Sequence, residues 1–558
     1  MFGALGAPSR FLVYNVAIPF LLTKYLSVGI FGSRIMTMMM WLTVLCILRV
    51  FYSIFLYPEY FSRFRHIPTP KERSWLWGNC PPHFAEPIGM TLRRINETVP
   101  NDGVIRVYDF LCQERLLLTE PKAFGEVLVQ NPYVFTKTFQ LKYNVSRLIG
   151  EGLACSEGEE HRRQRKHLMP AFSYRHIKEL YPSIWLKAAE LVSCLDKEIT
   201  GPDGKPNNKV INMKDWASRV TLDIIGVTGM GCDFQSLRNP DNDLALAYSN
   251  LFLPLPKNFK YFAQIDNFIS PRIISRLPSE YNDILTANSQ YVRRITTGII
   301  EKKRLQLRSQ PEVKSVDIIS QVLRSDDAFS NDNMVDQVMS FLAAGHETTS
   351  TSFQWVMLAL SRHPHVQERL RAEIHAGLPV SCFPDQDQGS QGATTPTAAM
   401  IDALPYLKAV CSEVLRCFPP APQTLRVSDY ADGYIQGEFI PRGTNLLIAP
   451  QAVNYDPKLW GPDAGDFNPD RWMAPGQANS GGATSPYALM TFSQGPHGCI
   501  AGGFARAELA ILTAAFVGSF RFKLEDPDYK IEYDQSVTIS PSGGIRIYLE
   551  KCLPLDSQ

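Results

Sequence analysis

Apolar residues are concentrated near the N-terminus, and after position 65 the pattern becomes that of amphipathic helices. The stretch 35–57 carries Arg49 as its only charge, and about 20 apolar residues are enough for a helix to cross a bilayer. The positive residues of the flank that follows are Arg63, Arg65, His66, Lys71 and Arg73. Since positive flanks remain on the cytosolic side, the pattern predicts a membrane anchor at 1–65 and a cytosolic remainder.

A second apolar stretch, 11–31, is interrupted by Asn15, Pro19 and Lys24. It leaves one or two membrane spans open, and both arrangements put the rest of the chain in the cytosol, with opposite N-termini. The competing interpretation is a cleaved signal peptide, which requires a small-residue cleavage site after a short apolar core. No such site follows either stretch, so the sequence favours a retained anchor.

Beyond the anchor, the spacing of apolar residues predicts helices with a few short strands. Apolar residues recur every three or four positions through 175–200 and 279–308, as on one face of a helix. Short β-type runs occupy 104–108, 115–118, 444–449 and 545–549. The predicted fold class is therefore mainly α with small β-sheets. Segments 381–397 and 475–486 are rich in Gly, Ser, Thr, Gln and Pro, which predicts mobile loop insertions.

Composition excludes several classes of protein. The 558 residues are 45% hydrophobic and 20% charged, which allows a large core and is unlike a disordered chain. The 56 Lys and Arg residues are balanced by 55 Asp and Glu, so the chain has no global basic footprint for nucleic acid. The 11 cysteines are dispersed without a CxxC pair, which argues against a zinc ribbon or a disulfide framework.

One cysteine stands in a distinctive setting. Cys499 ends the glycine-rich run FSQGPHGC at 492–499 and precedes an apolar, alanine-rich segment that reads as a helix. Free N–H groups and the positive dipole at a helix start favour a thiolate, and a thiolate can ligate haem iron. Taken alone, however, such a cysteine is more often an ordinary buried residue.

The run around Cys499 resembles the haem-binding loop of the cytochrome P450 superfamily, FxxGxRxCxG. Phe492, Gly495 and Cys499 match it, whereas His497 replaces the arginine and Ala501 replaces the final glycine. The resemblance implies haem b with Cys499 as the axial iron ligand, and Phe492, Gly495 and His497 around the cofactor. Because an imidazole titrates at about pH 6.5, the grip of His497 on a haem propionate is expected to vary with pH.

A second run, AGHETT at 344–349, lies inside a long apolar segment. Capping residues at Ser330 or Asn331 and the break at Pro364 predict one helix around it. The neighbouring His and Glu suggest the metalloprotease motif HExxH, but Ser350 stands at its last position, so that motif fails.

Within this predicted helix, the hydroxyl of Thr348 can bond back to the carbonyl of Ala344 and bend the axis. The run resembles the oxygen-activation helix of the same family, (A/G)Gx(D/E)T(T/S), with every position matched. The resemblance implies that Thr348 positions the proton donor to the bound oxygen and that Glu347 serves the proton relay.

Two further runs carry the resemblance. Glu413 and Arg416, three apart on a predicted helix, can pair, and with Arg471 they resemble the structural ExxR triad of the family. Arg426, ten residues after Arg416, resembles its propionate-binding arginine.

The basic run GEEHRRQR at 158–165 would ordinarily be a solvated helix face. It resembles the WxxxR helix of the family, with His161 in the tryptophan position. His161 and Arg165 lie one turn apart, so the resemblance implies that both face haem propionates. The remaining basic residues are predicted to contribute to a docking face for an acidic electron donor.

The resemblance covers 66–558 as one haem-thiolate domain and implies monooxygenation. One atom of dioxygen enters a lipophilic small molecule, by hydroxylation, epoxidation or multistep oxidation, and the other leaves as water. No flavin or nicotinamide fingerprint is recognisable, so NADPH electrons are expected from a separate NADPH–cytochrome P450 reductase, with cytochrome b5 as a second donor. The loop insertions resemble fungal microsomal members, which implies an endoplasmic reticulum membrane location and a terpenoid or polyketide substrate.

The substrate pocket is expected to draw on 134–149, 251–262, 422–424 and 540–544. Two alternatives to a monooxygenase stay open on the sequence. One is a haem-thiolate isomerase or dehydratase, against which the intact acid–alcohol pair argues. The other is a membrane haem-binding protein without turnover.

Overall fold

The computed structural model describes residues 34–79, 87–200, 207–251, 269–310, 312, 315–324, 329–383, 394–429, 432–535 and 537–552. They belong to two units: Met1–Pro82 with Ile105–Leu116, and His83–Val104 with Leu117–Gln558. The apolar stretch 11–31, positions 384–393 of the first predicted insertion and 252–262 of the predicted pocket lie outside the described residues.

The smaller unit contains the predicted anchor. Helix α1 (Arg34–Phe51) continues as a π-helix over Tyr52–Phe61. Among the described residues, the run Met39–Phe61 is long and apolar enough to cross a membrane. Ile47 is 62% exposed, as a lipid-facing side chain would be. In the same unit β1 (Val104–Tyr108) pairs with β2 (Glu114–Leu118).

The larger unit is mainly helical. Its helices are α2 (Ile88–Thr98), α3 (Pro121–Phe124), α4 (Phe139–Ile149), α5 (Gly158–Leu168), α6 (Tyr174–Ile199), α7 (Met213–Ile225), α8 (Asp243–Leu251), α9 (Pro271–Ile274), α10 (Glu280–Ser309), α11 (Ile318–Leu323), α12 (Asn331–Arg362), α13 (Pro364–Gly377), α14 (Ala398–Asp402), α15 (Pro405–Cys417), α16 (Pro450–Asn454), α17 (Pro457–Trp460) and α18 (Gly502–Ser519). Shorter 3₁₀ or π turns occupy Phe110–Cys112 in the smaller unit and Gly125–Gln130, Met169–Phe172, Gly226–Met230, Val380–Cys382 and Pro469–Trp472 in the larger one.

Short antiparallel sheets complete the larger unit. Its strands are β3 (Phe135–Thr136), β4 (Val210–Asn212), β5 (Thr424–Ser428), β6 (Gly433–Ile435), β7 (Glu438–Ile440), β8 (Asn445–Ile448), β9 (Phe520–Leu524), β10 (Tyr533–Gln535), β11 (Ile539–Pro541) and β12 (Arg546–Lys551). Strand β5 lies between β3 and β8, and β12 lies between β4 and β9. The pairs β6–β7 and β10–β11 are hairpins. The fold is thus mainly α with small sheets, as predicted.

The central element is α12, whose bounds the sequence predicts closely. The Ser330 side chain caps it by accepting the N–H of Asn333, and the helix ends at Arg362, just before Pro364. Residues 349–360 are all buried, because α12 packs against α7 on one side and α18 on another. The residues at 353 and 355–360 are apolar, as burial on all sides favours, and the polar residues at 349–352 and 354 are buried with them.

The second predicted insertion, 475–486, consists of turns. Thr484 donates its N–H to the carbonyl of Leu459 at 3.0 Å. Gly481 lies so close to Trp472 that a Cβ would stand 2.9 Å from the indole. These contacts join parts of the segment to its neighbours, and the mobility that the composition predicts stays a prediction.

Candidate active site

The loop that carries Cys499 has a defined conformation. The Cys499 N–H donates to the carbonyl of Phe492 at 2.8 Å, and the Gly498 N–H donates to that of Gly495 at 2.9 Å. Gly495 has a φ of +70°, and a Cβ there would lie 2.1 Å from the carbonyl oxygen of Leu128. The spacing of glycines before the cysteine is therefore a backbone requirement.

Cys499 precedes α18 by three residues, and the N–H of Ala501 reaches its sulfur. Burial raises the pKa of the Cys499 thiol, and the Ala501 N–H and the cations of Arg165 and Arg506 oppose that rise. In the chain alone, burial outweighs the helix start that was expected to favour a thiolate. A cation at the sulfur would be needed to hold the ionised form.

Cys499 is exposed and lines a cavity of 360 Å³. The cysteine loop contributes Phe492 and Cys499 to the lining, and α12 contributes Ala344, Gly345 and Thr348. The fold thus brings two sequence motifs, far apart along the chain, to one mostly apolar space. Apolar walls around a single thiol suit a flat apolar cofactor with a metal at its centre.

Thr348 makes the predicted bond along its own helix. Its hydroxyl donates to the carbonyl of Ala344 at 2.7 Å. The hydroxyl proton is thereby used, so the Thr348 oxygen is left as an acceptor for a donor in the cavity.

The carboxyl of Glu347 does not lie on the cavity wall. Its Oε1 accepts a hydrogen bond of 2.8 Å from the hydroxyl of Thr538, which precedes β11. Burial raises the pKa of Glu347, while the Thr538 bond and the Lys214 cation lower it. Sequence reasoning missed Thr538, because no local pattern links residues 191 positions apart.

Glu508 is a second buried acid that the sequence motifs did not reveal. It is fully buried on α18, and its Oε2 accepts a hydrogen bond of 3.1 Å from Thr349. Its Oε1 has no hydrogen-bond partner among the described residues. Burial raises the pKa of Glu508 to about 8. The signal in the sequence was a single glutamate among the apolar residues of 507–512.

Nitrogen-bearing side chains meet near Cys499. The predicted residues His161, Arg165, Arg426 and His497 all contribute, from α5, β5 and the cysteine loop. The rings of His161 and His497 lie with centroids 3.9 Å apart and planes tilted by 30°. Arg165 donates to the carbonyl of Gly498 at 2.7 Å.

Two residues of this cluster were not predicted. Lys137 Nζ lies 3.4 Å from His497 Nδ1 and 3.4 Å from a carboxylate oxygen of Glu157. The other Glu157 oxygen lies 3.3 Å from His497 Nε2. Neither Glu157 Oε2 nor His497 Nε2 has a hydrogen-bond partner within the described part of the chain.

The cluster is short of negative charge. Burial, Lys137 and the other nearby cations lower the pKa of His497 to about 2, so the imidazole is neutral in the protein alone. This differs from the ordinary titration expected of it. Burial also lowers the pKa of Arg426 to about 10, although Glu157 opposes the effect. An anion with carboxylate groups, such as the propionate edge of haem, fits this environment.

The structural triad assembles behind the cavity. Glu413 accepts two hydrogen bonds of 2.8 Å from Arg416 and one of 3.1 Å from Arg471. The indole N–H of Trp472 adds a fourth at 2.9 Å, another contact that the sequence did not indicate. Glu413 and Arg416 are fully buried, which makes this a charge cluster inside the core.

Of the segments predicted to line the substrate pocket, Thr424 lines the cavity. Phe139 and Tyr143 line a different, polar pocket with Glu151 and Asp336. The aromatic pattern of 134–149 did not show that Phe139 and Tyr143 line a pocket other than the one beside Cys499.

Comparison with known proteins agrees with the site. Residues 68–547 match the family described as cytochrome P450. The cytochrome P450 monooxygenase sphH of Aspergillus fumigatus is 40% identical over 529 residues, covering 95% of each chain. The cytochrome P450 monooxygenase FSL4 of Gibberella zeae is 40% identical over 484 residues, covering 85% of each.

The fold has a solved counterpart. A crystal structure of a mutant cytochrome P450DA heme domain superposes with a TM-score of 0.71 at 22% identity, covering 88% of this chain and 98% of that one. The chain belongs to the cytochrome P450 family and is a haem-dependent monooxygenase.

Proposed function

We propose that the Cys499 thiolate is the axial ligand of haem iron and that the nitrogen cluster holds the propionates. The single observation that carries this assignment is the exposure of Cys499 towards an apolar cavity beside a cluster short of negative charge. Arg165 and Arg426 supply charged donors, and His161 and His497 supply neutral ones. When bound, haem activates dioxygen for insertion of one oxygen atom into the substrate.

The residues of the chain then orient groups and move protons. The Thr348 oxygen accepts a hydrogen bond from a proton donor in the cavity, because its own proton is held by Ala344. Glu347 supplies protons to this position from a neighbouring face of α12, about 100° around the helix axis. Phe492 and Gly495 shape the cysteine loop, and Glu413, Arg416 and Arg471 fix the core behind it.

The apolar walls favour a lipophilic small molecule, held beside Thr348 and Thr424. The fungal relatives support a role in secondary metabolism, and a terpenoid or polyketide intermediate is the substrate class we propose. The predominantly apolar run Met39–Phe61, with Arg49 and Glu59 as its charges, supports attachment to the endoplasmic reticulum membrane, with residues 66–558 on the cytosolic face.

Electrons are proposed to come from a membrane-bound NADPH–cytochrome P450 reductase, with cytochrome b5 as a second donor. The exposed outer face of α5, with Arg162, Arg163 and Lys166, supports docking of an acidic partner. Arg162 and Arg163 each pair with a glutamate three residues earlier, so part of their charge is neutralised within the helix.

Isotope-labelled dioxygen tests this function. Full-length protein and reductase are supplied with NADPH and a lipophilic extract from a producing strain that lacks the gene. We expect a product that carries one labelled oxygen atom and is absent with Cys499→Ala. A product that forms without dioxygen, or that carries no label, would instead support an isomerase or dehydratase.

A further inference from the structure

The two residues assigned to proton delivery point in different directions. Successive helix residues are rotated by about 100°, and Thr348 lines the cavity whereas Glu347 is not among its lining residues. Its carboxyl instead reaches Thr538. The Thr538 side chain is only 2% exposed, so solvent does not compete for this hydrogen bond.

Thr538 is held in place by its neighbours in the C-terminal hairpin, which we define as 533–535 with 537–541. The N–H of Ile539 donates to the carbonyl of Pro420 at 2.9 Å, and the indole of Trp355, on α12, donates to the carbonyl of Ile539 at 3.3 Å. Pro420 itself lines the cavity. The hydroxyl that holds Glu347 is therefore fixed to both α12 and the cavity wall.

Besides the hydrogen bond from Thr538, Glu347 is influenced by one charged group, Lys214 of α7. Its side chain is 44% exposed and lies 3.7 Å from Asp534 of β10. Solvent and that carboxylate weaken its influence. The buried hydroxyl of Thr538 is thus the principal support of the ionised Glu347 side chain, against the burial that favours the protonated form.

We propose that Thr538 is a positioning residue of the proton relay, a latch that holds the ionised Glu347 carboxyl against the C-terminal hairpin and releases it once it carries a proton. The proposal rests on the function given above. A hydroxyl bonds about twice as strongly to a carboxylate as to a neutral acid. When Glu347 takes up a proton on the side that faces Lys214, its hydrogen bond from Thr538 therefore weakens. The freed acid can then turn towards the face of α12 where the Thr348 oxygen accepts a hydrogen bond from it.

Two variants separate the hydroxyl from the volume of the side chain. Thr538→Val removes the donor at nearly constant size, and Thr538→Ser keeps the donor as a matched control. In the haem-loaded full-length protein, the carboxylic acid C=O infrared band of Glu347 is identified by its disappearance in Glu347→Gln and then titrated. We expect its midpoint to rise by about one pH unit in Thr538→Val and to stay unchanged in Thr538→Ser.

A second readout is the hydrogen peroxide released per NADPH consumed, with reductase, NADPH and dioxygen as the only additions. In that side reaction NADPH passes two electrons to dioxygen, which takes up two protons and leaves as peroxide. We expect Thr538→Val to raise the peroxide yield to that of Glu347→Gln, with no further rise in the double variant.

An unchanged midpoint in Thr538→Val, an equal rise in Thr538→Ser, or a double variant that releases more peroxide than Glu347→Gln would overturn the proposal. Every variant is compared only after it gives the wild-type spectrum of the reduced carbon-monoxide complex, and Thr538→Ala replaces the valine variant if that one does not. Absence of the spectrum from the wild-type protein contradicts the proposed function itself, so the two failures are distinguishable.

Discussion

At the scale of single residues, buried charge is used in two different ways. Glu413 lies among the donors of Arg416, Arg471 and Trp472, so its charge is compensated on every side. Glu508 has the hydroxyl of Thr349 alone among the described residues, so burial determines its protonation. The sequence indicated the first group through the spacing of Glu413 and Arg416. It could not indicate the second, because only the fold makes the surroundings of Glu508 dry.

Replacing Glu413 by Gln leaves Arg416 buried without its anion and Arg471 with Asp463 alone. Removing one partner of a buried ion pair costs about 3–5 kcal/mol, so we expect a comparable loss in the free energy of unfolding and a low yield of haem-loaded protein. Asp470→Asn is the matched control, because Asp470 pairs with Arg369 at the exposed surface, where a pair contributes at most about 1 kcal/mol. Equal losses from the two variants would contradict the structural role of the triad.

Glu508 makes stability depend on pH. Its pKa is about 8 in the folded protein against an ordinary 4.5. Between pH 4.5 and about 8, Glu508 keeps a proton in the folded state that it has lost in the unfolded chain. The free energy of unfolding therefore falls as the pH rises, by at most about 1.4 kcal/mol per pH unit. We expect wild type to lose thermal stability relative to Glu508→Gln from pH 4.5 to about 8 and to run parallel above it. Melting curves that stay parallel throughout this range would show that Glu508 is ionised or solvated.

At the scale of elements, the sequence predicted the helices and strands well and their mutual contacts poorly. The predicted helices at 175–200 and 279–308 correspond to Tyr174–Ile199 and Glu280–Ser309, because caps and apolar spacing are local signals. The contacts of Lys137 with His497 and of Glu347 with Thr538 join residues 360 and 191 positions apart. No local signal encodes such pairs. The motifs therefore identified His497 and Glu347 but did not indicate that Lys137 and Thr538 contact them.

The cysteine loop depends on its glycine conformation. In Gly495→Ala the new Cβ would meet the carbonyl oxygen of Leu128, and the positive φ adds strain. We expect little haem-loaded protein, measured as haem absorbance per polypeptide. Gly443→Ala is the control, because Gly443 has a φ of +90° with nothing within 4 Å of a Cβ, so it carries only the conformational cost of about 1 kcal/mol. A normal haem content in Gly495→Ala would show that the loop can adopt another backbone conformation.

At the scale of the whole molecule, one apolar helical run differs from the helices of the catalytic fold in the exposure of its side chains. Its side chains, such as Ile47 and Leu48, are exposed, whereas the apolar residues of α12 are buried between other helices. Mean hydropathy and a net charge of +1 conceal this division, and only the position of the apolar residues along the chain reveals it.

Charges in the span should release the protein from the membrane. Each arginine near the bilayer centre costs about 2.5–3.5 kcal/mol, so we expect the double variant Ile47→Arg with Leu48→Arg to appear in the alkaline-extractable fraction. Leu305→Arg is the control, since Leu305 is 67% exposed but lies on α10. If the span variant stays in the membrane pellet, another part of the chain provides the attachment.

The central claim is that Cys499 ligates haem iron, and the spectrum of the reduced carbon-monoxide complex tests it most directly. The full-length protein should give the absorption band that is specific to thiolate ligation. Cys499→Ala should lose that band, and Cys194→Ala, which changes a cysteine on α6, should keep it. A thiolate band that survives Cys499→Ala, or that disappears in Cys194→Ala, would contradict the account.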